Sequence, residues 1–292
     1  MKYNFIINPI SGSVDKTELL KQLSAKLKAL DIDFEFHYTQ YKGHAVELAS
    51  ALNKNLNTTI VAVGGDGTVN EIGGVLLNSA TPFGIIPVGS GNGLARHLKI
   101  PLQPLSALDC LLTGKSTSID AGKLNDQLFF VTCGVGFEAE VTHNFNDRKS
   151  RGLLGYVKEA LSLFRTYEAM EYSLEFESKQ RKIKAFSITI ANCSQYGNNA
   201  IIARDASVTD GKLDVCVLAN YPKILGPKIG LSLFLKNIHK SSYYSTEQVA
   251  EATVTTMNRT TIINAHVDGE AIEINLPAKV VCIPKALNII AK

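Results

Sequence analysis

The segment VAVGGDGTVNEIGG, residues 61–74, decides how the first part of the chain is interpreted. An apolar run at 61–63 passes directly into GGDGT at 64–68. Glycine loses more backbone freedom on folding than any other residue, so three glycines around Asp66 indicate that the backbone closely approaches something. The amino terminus of a helix carries unpaired N–H groups and partial positive charge, which both favour phosphate. The segment predicts either a phosphate-binding turn between a strand and a helix, or a tight turn with a helix cap.

Strand-like and helix-like segments alternate through the sequence around this turn. Leucines at 19, 23, 27 and 30 share one helical face, and Asp15 and Glu18 have the spacing of a capping box. The predicted strands are 3–8, 32–38, 59–63 and 83–88, and the predicted helices are 19–30, 45–52, 69–77 and 104–112. Strict alternation of this kind predicts an α/β domain whose parallel sheet is covered on both faces.

The pattern changes after residue 116, where strand candidates follow one another. They are 118–124, 128–133, 172–177, 182–191, 212–218, 252–256, 260–267, 271–275 and 279–283. Asp-Gly pairs at 210–211 and 268–269 are typical of hairpin turns. Two predicted helices, 153–164 and 227–238, interrupt the strands. The second part is therefore predicted to be a mainly antiparallel β domain.

Two more turns of the same type follow strands of the first domain. NPISG at 8–12 follows the first strand, and PVGSGNG at 87–93 follows the fourth. Because open parallel sheets bind ligands at the carboxyl ends of their strands, the three turns together predict a phosphate cradle. Thr68 would add a hydroxyl donor, and Asp66 would hold Mg²⁺. The sequence has no P-loop, and the GxGxxA pattern at 134–139 lies in the antiparallel part, where a Rossmann site is not expected.

Composition excludes several classes of protein. Of 292 residues, 45% are hydrophobic and 20% charged, as in a globular protein, and the net charge of +3 argues against a nucleic-acid partner. Five scattered cysteines indicate reduced thiols, and the six histidines show no zinc-binding spacing. No signal peptide or membrane span is recognised. We therefore expect a cytoplasmic protein whose membrane contact, if any, is peripheral.

The ordered motifs resemble those of the diacylglycerol kinase and sphingosine kinase superfamily. NPISG, GGDGTVNE and PVGSGNGLAR are followed by IDAGKL, CGVGFEAEV, DASVTDGKLDV and HVDGE. The resemblance implies a phosphofructokinase- or NAD-kinase-like α/β domain over 1–122, to which the tail 284–292 returns, and a carboxy-terminal antiparallel β-sandwich over 123–283. It implies an active site in the cleft between these domains, where the γ-phosphate of ATP passes to a lipid hydroxyl with Mg²⁺ as cofactor.

The resemblance also implies individual roles. Glu270 of HVDGE would be the general base, although its Asp-Gly neighbours fit a plain hairpin turn, and Asp66 would be the second catalytic residue. A structural Mg²⁺ would be held by the carboxylate of Asp210 and the backbone carbonyls of Ser207 and Lys212, where a hairpin is again the alternative. The expected nucleotide contacts are Asn8, Pro9, Ile10, Ser11, Gly12, Thr39, Gly65, Asp66, Gly67, Thr68, Val69, Asn70, Glu71 and Ser90.

The acceptor and the partners remain open at this level. Gly93 stands where many bacterial diacylglycerol kinases have an aspartate, and GSGNGLA at 89–95 is closer to the sphingosine kinase form GSGNALA. The resemblance therefore leaves the acceptor open among a diacylglycerol, a sphingoid base and a related lipid. The alternatives are an NAD kinase-like enzyme, which shares GGDGT, and a non-catalytic lipid- or nucleotide-binding protein. A homodimer and a transient location at the inner membrane face are further expectations. Two apolar helical faces are candidates for membrane contact, namely Leu153, Leu154, Val157, Ala160, Leu161 and Phe164, and Ile229, Leu233 and Phe234.

Overall fold

The computed structural model of the chain describes residues 1–12, 14–55, 57–146, 153–176, 179–257 and 261–292. They divide into two units: unit 1 comprises Met1–Ile119 with Lys285–Lys292, and unit 2 comprises Asp120–Pro284. Among the described residues, no helix is long and apolar enough to cross a bilayer.

Parallel strands form the centre of unit 1. β1 (Lys2–Ile7) pairs with β2 (Phe34–Tyr38) on one side and with β3 (Thr58–Gly64) on the other, and β3 pairs with β4 (Phe83–Pro87), all in parallel. Every residue of β3 and β4 is buried. Continuous burial is typical of parallel strands covered on both faces, so the predicted α/β architecture is confirmed.

The helices of unit 1 follow these strands. They are α1 (Lys16–Ala29), α2 (His44–Leu52), α3 (Asp66–Val75), α4 (Gly93–His97) and α5 (Pro104–Thr113). Asp15 caps α1 as its spacing predicts, since its Oδ1 accepts hydrogen bonds from the N–H groups of Thr17 (2.9 Å) and Glu18 (3.4 Å). The short helix α4 was not predicted.

Two long strands contribute residues to both units. These are β5 (Lys115–Leu124) and the last strand, β15 (Ala278–Ala291). The strands between them in the sequence belong to unit 2 and carry the intervening numbers. Within unit 1, Ile289 of β15 pairs in parallel with Phe83 of β4. The last strand therefore extends the parallel sheet of unit 1 beyond β4.

Antiparallel strands dominate unit 2. They are β6 (Gln127–Phe129), β7 (Thr132–Gly136), β8 (Met170–Phe176), β9 (Lys179–Ala191), β10 (Leu213–Ala219), β11 (Tyr244–Val249), β12 (Glu251–Thr256), β13 (Ile262–Val267) and β14 (Glu270–Asn275). The first half of β9 pairs with β8, and its second half lies between β7 and β10. The predicted antiparallel domain is confirmed.

Three helices lie among these strands, one more than predicted. They are α6 (Phe137–Asn146), α7 (Leu153–Phe164) and α8 (Gly226–Phe234). The predicted helix 227–238 is corrected, because α8 ends at Phe234 and a separate 3₁₀ turn spans Ile238–Lys240. α6 and β11 were missed. The residues Glu177 and Thr260 of two strand candidates lie outside the described residues, as do the side chains of Leu153 and Leu154.

One aspartate fixes the hairpin between β13 and β14 to the start of β7. The turn residues Asp268 and Gly269 have positive φ angles of 48° and 82°, as a tight hairpin requires. The Asp268 carboxylate accepts hydrogen bonds from three successive backbone N–H groups, those of Phe130 (2.9 Å), Val131 (2.8 Å) and Thr132 (3.1 Å). The position of Glu270, which directly follows this turn, therefore depends on Asp268.

We predict that Asp268→Ala destabilises unit 2 strongly, because three amides lose a charged acceptor. The free energy of unfolding should fall by about 3 kcal/mol, measured by urea denaturation. Asp126→Ala is the matched control: this turn carboxylate is 97% exposed and forms an ion pair with Lys123 at 3.5 Å, so the loss of unfolding free energy should be about 0.5 kcal/mol or less. Equal losses in the two variants would show that the three hydrogen bonds do not hold the hairpin.

Candidate nucleotide-binding and catalytic site

The three loops of the predicted cradle begin at one edge of the sheet of unit 1. Just past the strand ends, Asn8 N–H donates to the carbonyl of Val63 (3.0 Å), and Val88 N–H donates to the carbonyl of Gly64 (2.9 Å). Thr39 begins the loop after β2, and its N–H donates to the carbonyl of Ile7 (2.9 Å). The loops 8–12, 64–68 and 87–93 are therefore neighbours, with Thr39 at the same edge.

Glycines allow these loops to touch through their backbones. Gly12 has a φ of +63°, and a Cβ built on it would lie 1.7 Å from the carbonyl oxygen of Val88. A Cβ on Gly89 would lie 2.5 Å from the Cα of Gly65. No side chain fits such spaces. At these two positions the glycines serve the approach of loop to loop, a role that the sequence alone did not separate from approach to a phosphate.

The Asp66 carboxylate joins the second loop to the third. Its Oδ2 accepts the N–H of Asn92, and its Oδ1 accepts the N–H of Gly93, both at 2.7 Å. Since Gly93 begins α4, the carboxylate satisfies amides at the start of that helix. Burial raises the pKa of Asp66, while the hydrogen bonds from Gly93 and Asn92 oppose that rise. Asp66 therefore holds the loops together, whatever its further role.

Two residues that the sequence analysis missed fix the shape of the third loop. The Asn92 side chain bonds both backbone groups of Gly89: Oδ1 accepts its N–H (3.1 Å) and Nδ2 donates to its carbonyl (2.8 Å). The Nε of Arg96 donates to the carbonyl of Gly91 (2.9 Å). Asn92 has a positive φ of 52°, which asparagine tolerates better than most residues. An asparagine between two glycines was the available sequence signal.

The amino terminus of α3 is preceded by a glycine instead of a capping side chain. Its N-cap is Gly65, which has no side chain to bond the first-turn amides. Thr68 lies in the first turn, and its hydroxyl accepts a hydrogen bond from Nδ2 of Asn8 (3.2 Å). Uncapped first-turn amides are typical anion-binding groups. The predicted residues of the first and second loops therefore meet around a helix terminus.

The first loop offers a buried hydroxyl and a nearby cation. The Oγ of Ser11 is buried and has no hydrogen-bond partner among the described residues. The Nζ of Lys16, a third missed residue, donates to the carbonyl of Ser11 (2.5 Å), and burial lowers its pKa. Buried polar atoms are nearly always satisfied, so the Ser11 hydroxyl indicates a site for an acceptor such as a phosphate oxygen. The residues present thus fit a polyphosphate ligand.

Glu71 lies farther along α3 and holds another loop. Its Oε1 accepts the N–H of Gly43 (3.3 Å), and Gly43 is the N-cap of α2 with a positive φ of 88°. The loop of Thr39 is thereby tied to the helix that begins at Asp66. Glu71, one of the predicted nucleotide contacts, therefore also has a structural role, because it holds the start of α2.

Glu270 and the predicted structural metal residues belong to unit 2. Glu270 begins β14 and is exposed. In the turn before β10, Asp210 accepts from the N–H of Lys212 (3.1 Å) and from Nε2 of Gln248 (3.3 Å), and Ser207 accepts from the N–H of Thr209 (3.3 Å). Ser207, Asp210 and Lys212 thus occupy one turn. Across the described residues, no three His, Cys, Asp or Glu side chains group as a metal site, although the expected set contains only one carboxylate.

We predict that Gly89→Ala weakens ATP binding, because its Cβ would lie 2.5 Å from the backbone of Gly65 and force the second and third loops apart. Calorimetric titration with ATP should give an affinity lowered about tenfold to hundredfold. Gly230→Ala is the control, since a Cβ there meets nothing within 4 Å. Unchanged affinity in Gly89→Ala would contradict the assignment of these loops to the nucleotide.

Comparison with known proteins identifies the two parts of the chain. Residues 2–124 match the diacylglycerol kinase catalytic domain, and residues 131–291 match the YegS C-terminal NAD kinase beta sandwich-like domain. A diacylglycerol kinase of Bacillus subtilis is 31% identical over 220 residues, covering 73% of this chain and 72% of its own. An uncharacterized protein of Synechocystis is 29% identical over 309 residues, covering 99% of this chain and 70% of its own.

Solved structures share the fold over the whole chain. A crystal structure of a diacylglycerol kinase from Bacillus anthracis covers 100% of this chain and 97% of its own, with a TM-score of 0.75 and 17% identity. Identity at that level speaks for the fold alone, which includes the carboxy-terminal β-sandwich. The matches of both domains and the 31% identical relative lead to one conclusion. The chain belongs to the diacylglycerol kinase family of lipid kinases.

Proposed function

We propose that the protein transfers the γ-phosphate of ATP to a lipid hydroxyl. The observation that carries the proposal is the cradle, where Asn8 of the first loop bonds Thr68 in the first turn of α3. The N-cap of that helix is a glycine, and the buried hydroxyl of Ser11 in the first loop has no hydrogen-bond partner among the described residues. Within a lipid kinase family, the polyphosphate that such a cradle fits is ATP. Phosphoryl transfer depends mainly on positioning and charge neutralisation, which backbone amides and cations supply.

The cradle residues take distinct roles in this proposal. The first-turn amides of α3, with the hydroxyls of Ser11 and Thr68, bind phosphate oxygens. Ser90 and Thr39 contact the nucleotide from the neighbouring loops. Asp66 keeps the third loop in place through its two amide hydrogen bonds, and each of its oxygens retains acceptor capacity. Asp66 would hold Mg²⁺, which when bound neutralises charge on the phosphates.

Glu270 is proposed as the general base. Its carboxylate is exposed, and the turn before it is fixed by the hydrogen bonds of Asp268, so its backbone is well positioned. Glu270 accepts the proton of the lipid hydroxyl as the oxygen attacks the γ-phosphorus. The leaving ADP takes the electron pair of the broken P–O bond.

The acceptor lipid is proposed to be a diacylglycerol, a sphingoid base or a related lipid alcohol. The name of the Bacillus subtilis relative supports diacylglycerol. The chain is related to NAD kinases in fold, because the domain model that matches residues 131–291 is described as an NAD kinase-like β-sandwich. A lipid hydroxyl is therefore favoured over NAD as acceptor.

An assay with labelled ATP tests the function directly. The protein is incubated with Mg²⁺ and, separately, with diacylglycerol, sphingosine or NAD, and the labelled product is separated by chromatography. We expect label in a lipid product only. Label in NAD would favour the NAD kinase-like alternative, and binding of ATP without any product would favour the non-catalytic alternative.

Glu270→Gln tests the catalytic role without removing side-chain volume. We predict that kcat for the best lipid acceptor falls about 10²–10⁴-fold, because the amide does not accept the proton, while the affinity for ATP is kept. Glu168→Gln, at an exposed position of unit 2, is the control and should leave kcat unchanged. A kcat in Glu270→Gln within a factor of about two of the parent would exclude Glu270 as the base.

The structural metal site of unit 2 is tested by thermal melting without nucleotide. If Asp210 with the carbonyls of Ser207 and Lys212 binds Mg²⁺, saturating MgCl₂ should raise the melting temperature by about 5 °C, since ligand binding stabilises the folded state. Asp210→Asn should lose most of this rise, and the exposed control Asp126→Asn should keep it. An equal rise in Asp210→Asn would rule out a site at this turn.

A further inference from the structure

The outward face of α8 and of the 3₁₀ turn before it is unusually apolar. The exposed fractions are 87% for Ile224, 57% for Leu231, 42% for Phe234 and 60% for Leu235. A surface helix normally directs polar residues toward solvent. These four side chains, which we call the outer stripe, therefore need an explanation.

The opposite face of α8 packs in the core of unit 2. Ile229 is buried, and Leu225 and Leu233 pack against the same cluster, which includes Phe186 and Tyr221. Of the three residues on this helix expected from the sequence to contact a membrane, Ile229 and Leu233 pack in the core instead, whereas Phe234 is exposed. Leu231 and Leu235 are four residues apart and therefore lie together on the other side of α8, while Ile224 is exposed in the 3₁₀ turn before it. The outer stripe is a second apolar face on a helix that is already anchored.

A basic groove adjoins the outer stripe. Its volume is about 460 Å³, and Leu235 belongs to both features. The groove is lined by the cationic or titratable side chains of Arg204, Lys236, His239 and Lys240. Arg204 Nη1 lies 3.3 Å from His239 Nε2. No carboxylate lines the groove among the described residues, so it suits an anion such as a phosphate group.

We propose that the outer stripe and the basic groove form one docking surface for an anionic phospholipid bilayer. The apolar side chains enter the acyl boundary, and the groove binds headgroup phosphates, as in interfacial helices. This inference rests on the proposed function, because a lipid kinase meets its acceptor at a bilayer. Charge decides against a second copy as occupant, since a two-fold contact through this surface would bring two cationic grooves together.

Vesicle flotation without nucleotide tests the surface. The unmodified chain should float with vesicles of phosphatidylcholine and phosphatidylglycerol more than with pure phosphatidylcholine. Ile224→Ser and Leu235→Ser should each lower the partition coefficient about tenfold, because each removes an inserting side chain. Lys236→Gln and Lys240→Gln should each lower it about fivefold on the anionic vesicles only.

Leu30→Ser is the matched control for the apolar variants. Leu30 is 53% exposed, at the end of α1 in unit 1, and its replacement should leave flotation unchanged. Melting temperatures check that every variant is folded. The inference is overturned if the stripe variants float like the unmodified chain, if Leu30→Ser loses as much, or if light scattering shows a dimer that the stripe variants dissociate while flotation persists.

A kinase assay in detergent micelles separates this inference from the proposed function. Ile224→Ser and Leu235→Ser should phosphorylate a micellar lipid acceptor at the unmodified rate, since they lie outside the cradle. Turnover in micelles without binding to vesicles would refute the docking surface and leave the kinase proposal intact. Vesicle binding without any turnover would refute the kinase proposal and leave the docking surface intact.

Discussion

The bonds between the Asp66 carboxylate and the amides of Asn92 and Gly93 are the constraint on which the cradle depends. They join a loop after β3 to a loop after β4, and they supply an acceptor at the start of a helix of five residues. Such a short helix has little stability of its own. Without the carboxylate, the third loop would lose the contact that fixes it beside the second. Asp66, the proposed Mg²⁺ ligand, therefore also fixes the loops, and a variant of Asp66 would alter the loops as well as any metal binding.

Unit 2 uses the same physical device for a different purpose. The Asp268 carboxylate accepts hydrogen bonds from the N–H groups of Phe130, Val131 and Thr132, as the Asp66 carboxylate does from two N–H groups in unit 1. In both cases a carboxylate is satisfied by backbone N–H groups of a distant segment, which is among the stronger uses of a hydrogen bond. In both cases the loop so fixed carries proposed functional residues, Ser90 in unit 1 and Glu270 in unit 2. Each unit thus fixes, by internal hydrogen bonds, the loop that carries its proposed functional residue.

The fold was predictable from sequence because the spacing of apolar residues within a short segment indicates which of its residues are buried. The buried runs of β1, β3 and β4 and the leucines of α1 needed no knowledge of distant residues. The contacts of Asp66 and Asp268 were not predictable in this way, because their partners lie 26–27 and 136–138 residues away. Strand β11 was missed since its residues YSTEQV are mostly polar. The glycine turns were predicted correctly. Which of their glycines contact a neighbouring loop was not predictable, because that depends on which strands are adjacent in the sheet.

The outward face of α8 marks another limit of sequence reasoning. The sequence pattern grouped Ile229, Leu233 and Phe234 on one apolar face, of which Ile229 and Leu233 cover the core and Phe234 is exposed. A second apolar face on the same short helix makes the periodicity ambiguous, because apolar residues then occur all around the helix. Only the three-dimensional packing separates residues that stabilise the fold from residues that remain exposed.

The path of the last strand has a consequence for biosynthesis. Because Ile289 lies beside Phe83, the first half of the nascent chain emerges from the ribosome without the neighbour that covers one side of β4. A fully buried strand in the finished protein is then an open sheet edge, which is prone to pair with other chains. Unit 1 completes its sheet only after unit 2 has been synthesised. Folding of the amino-terminal unit is thereby coupled to translation of the entire second unit.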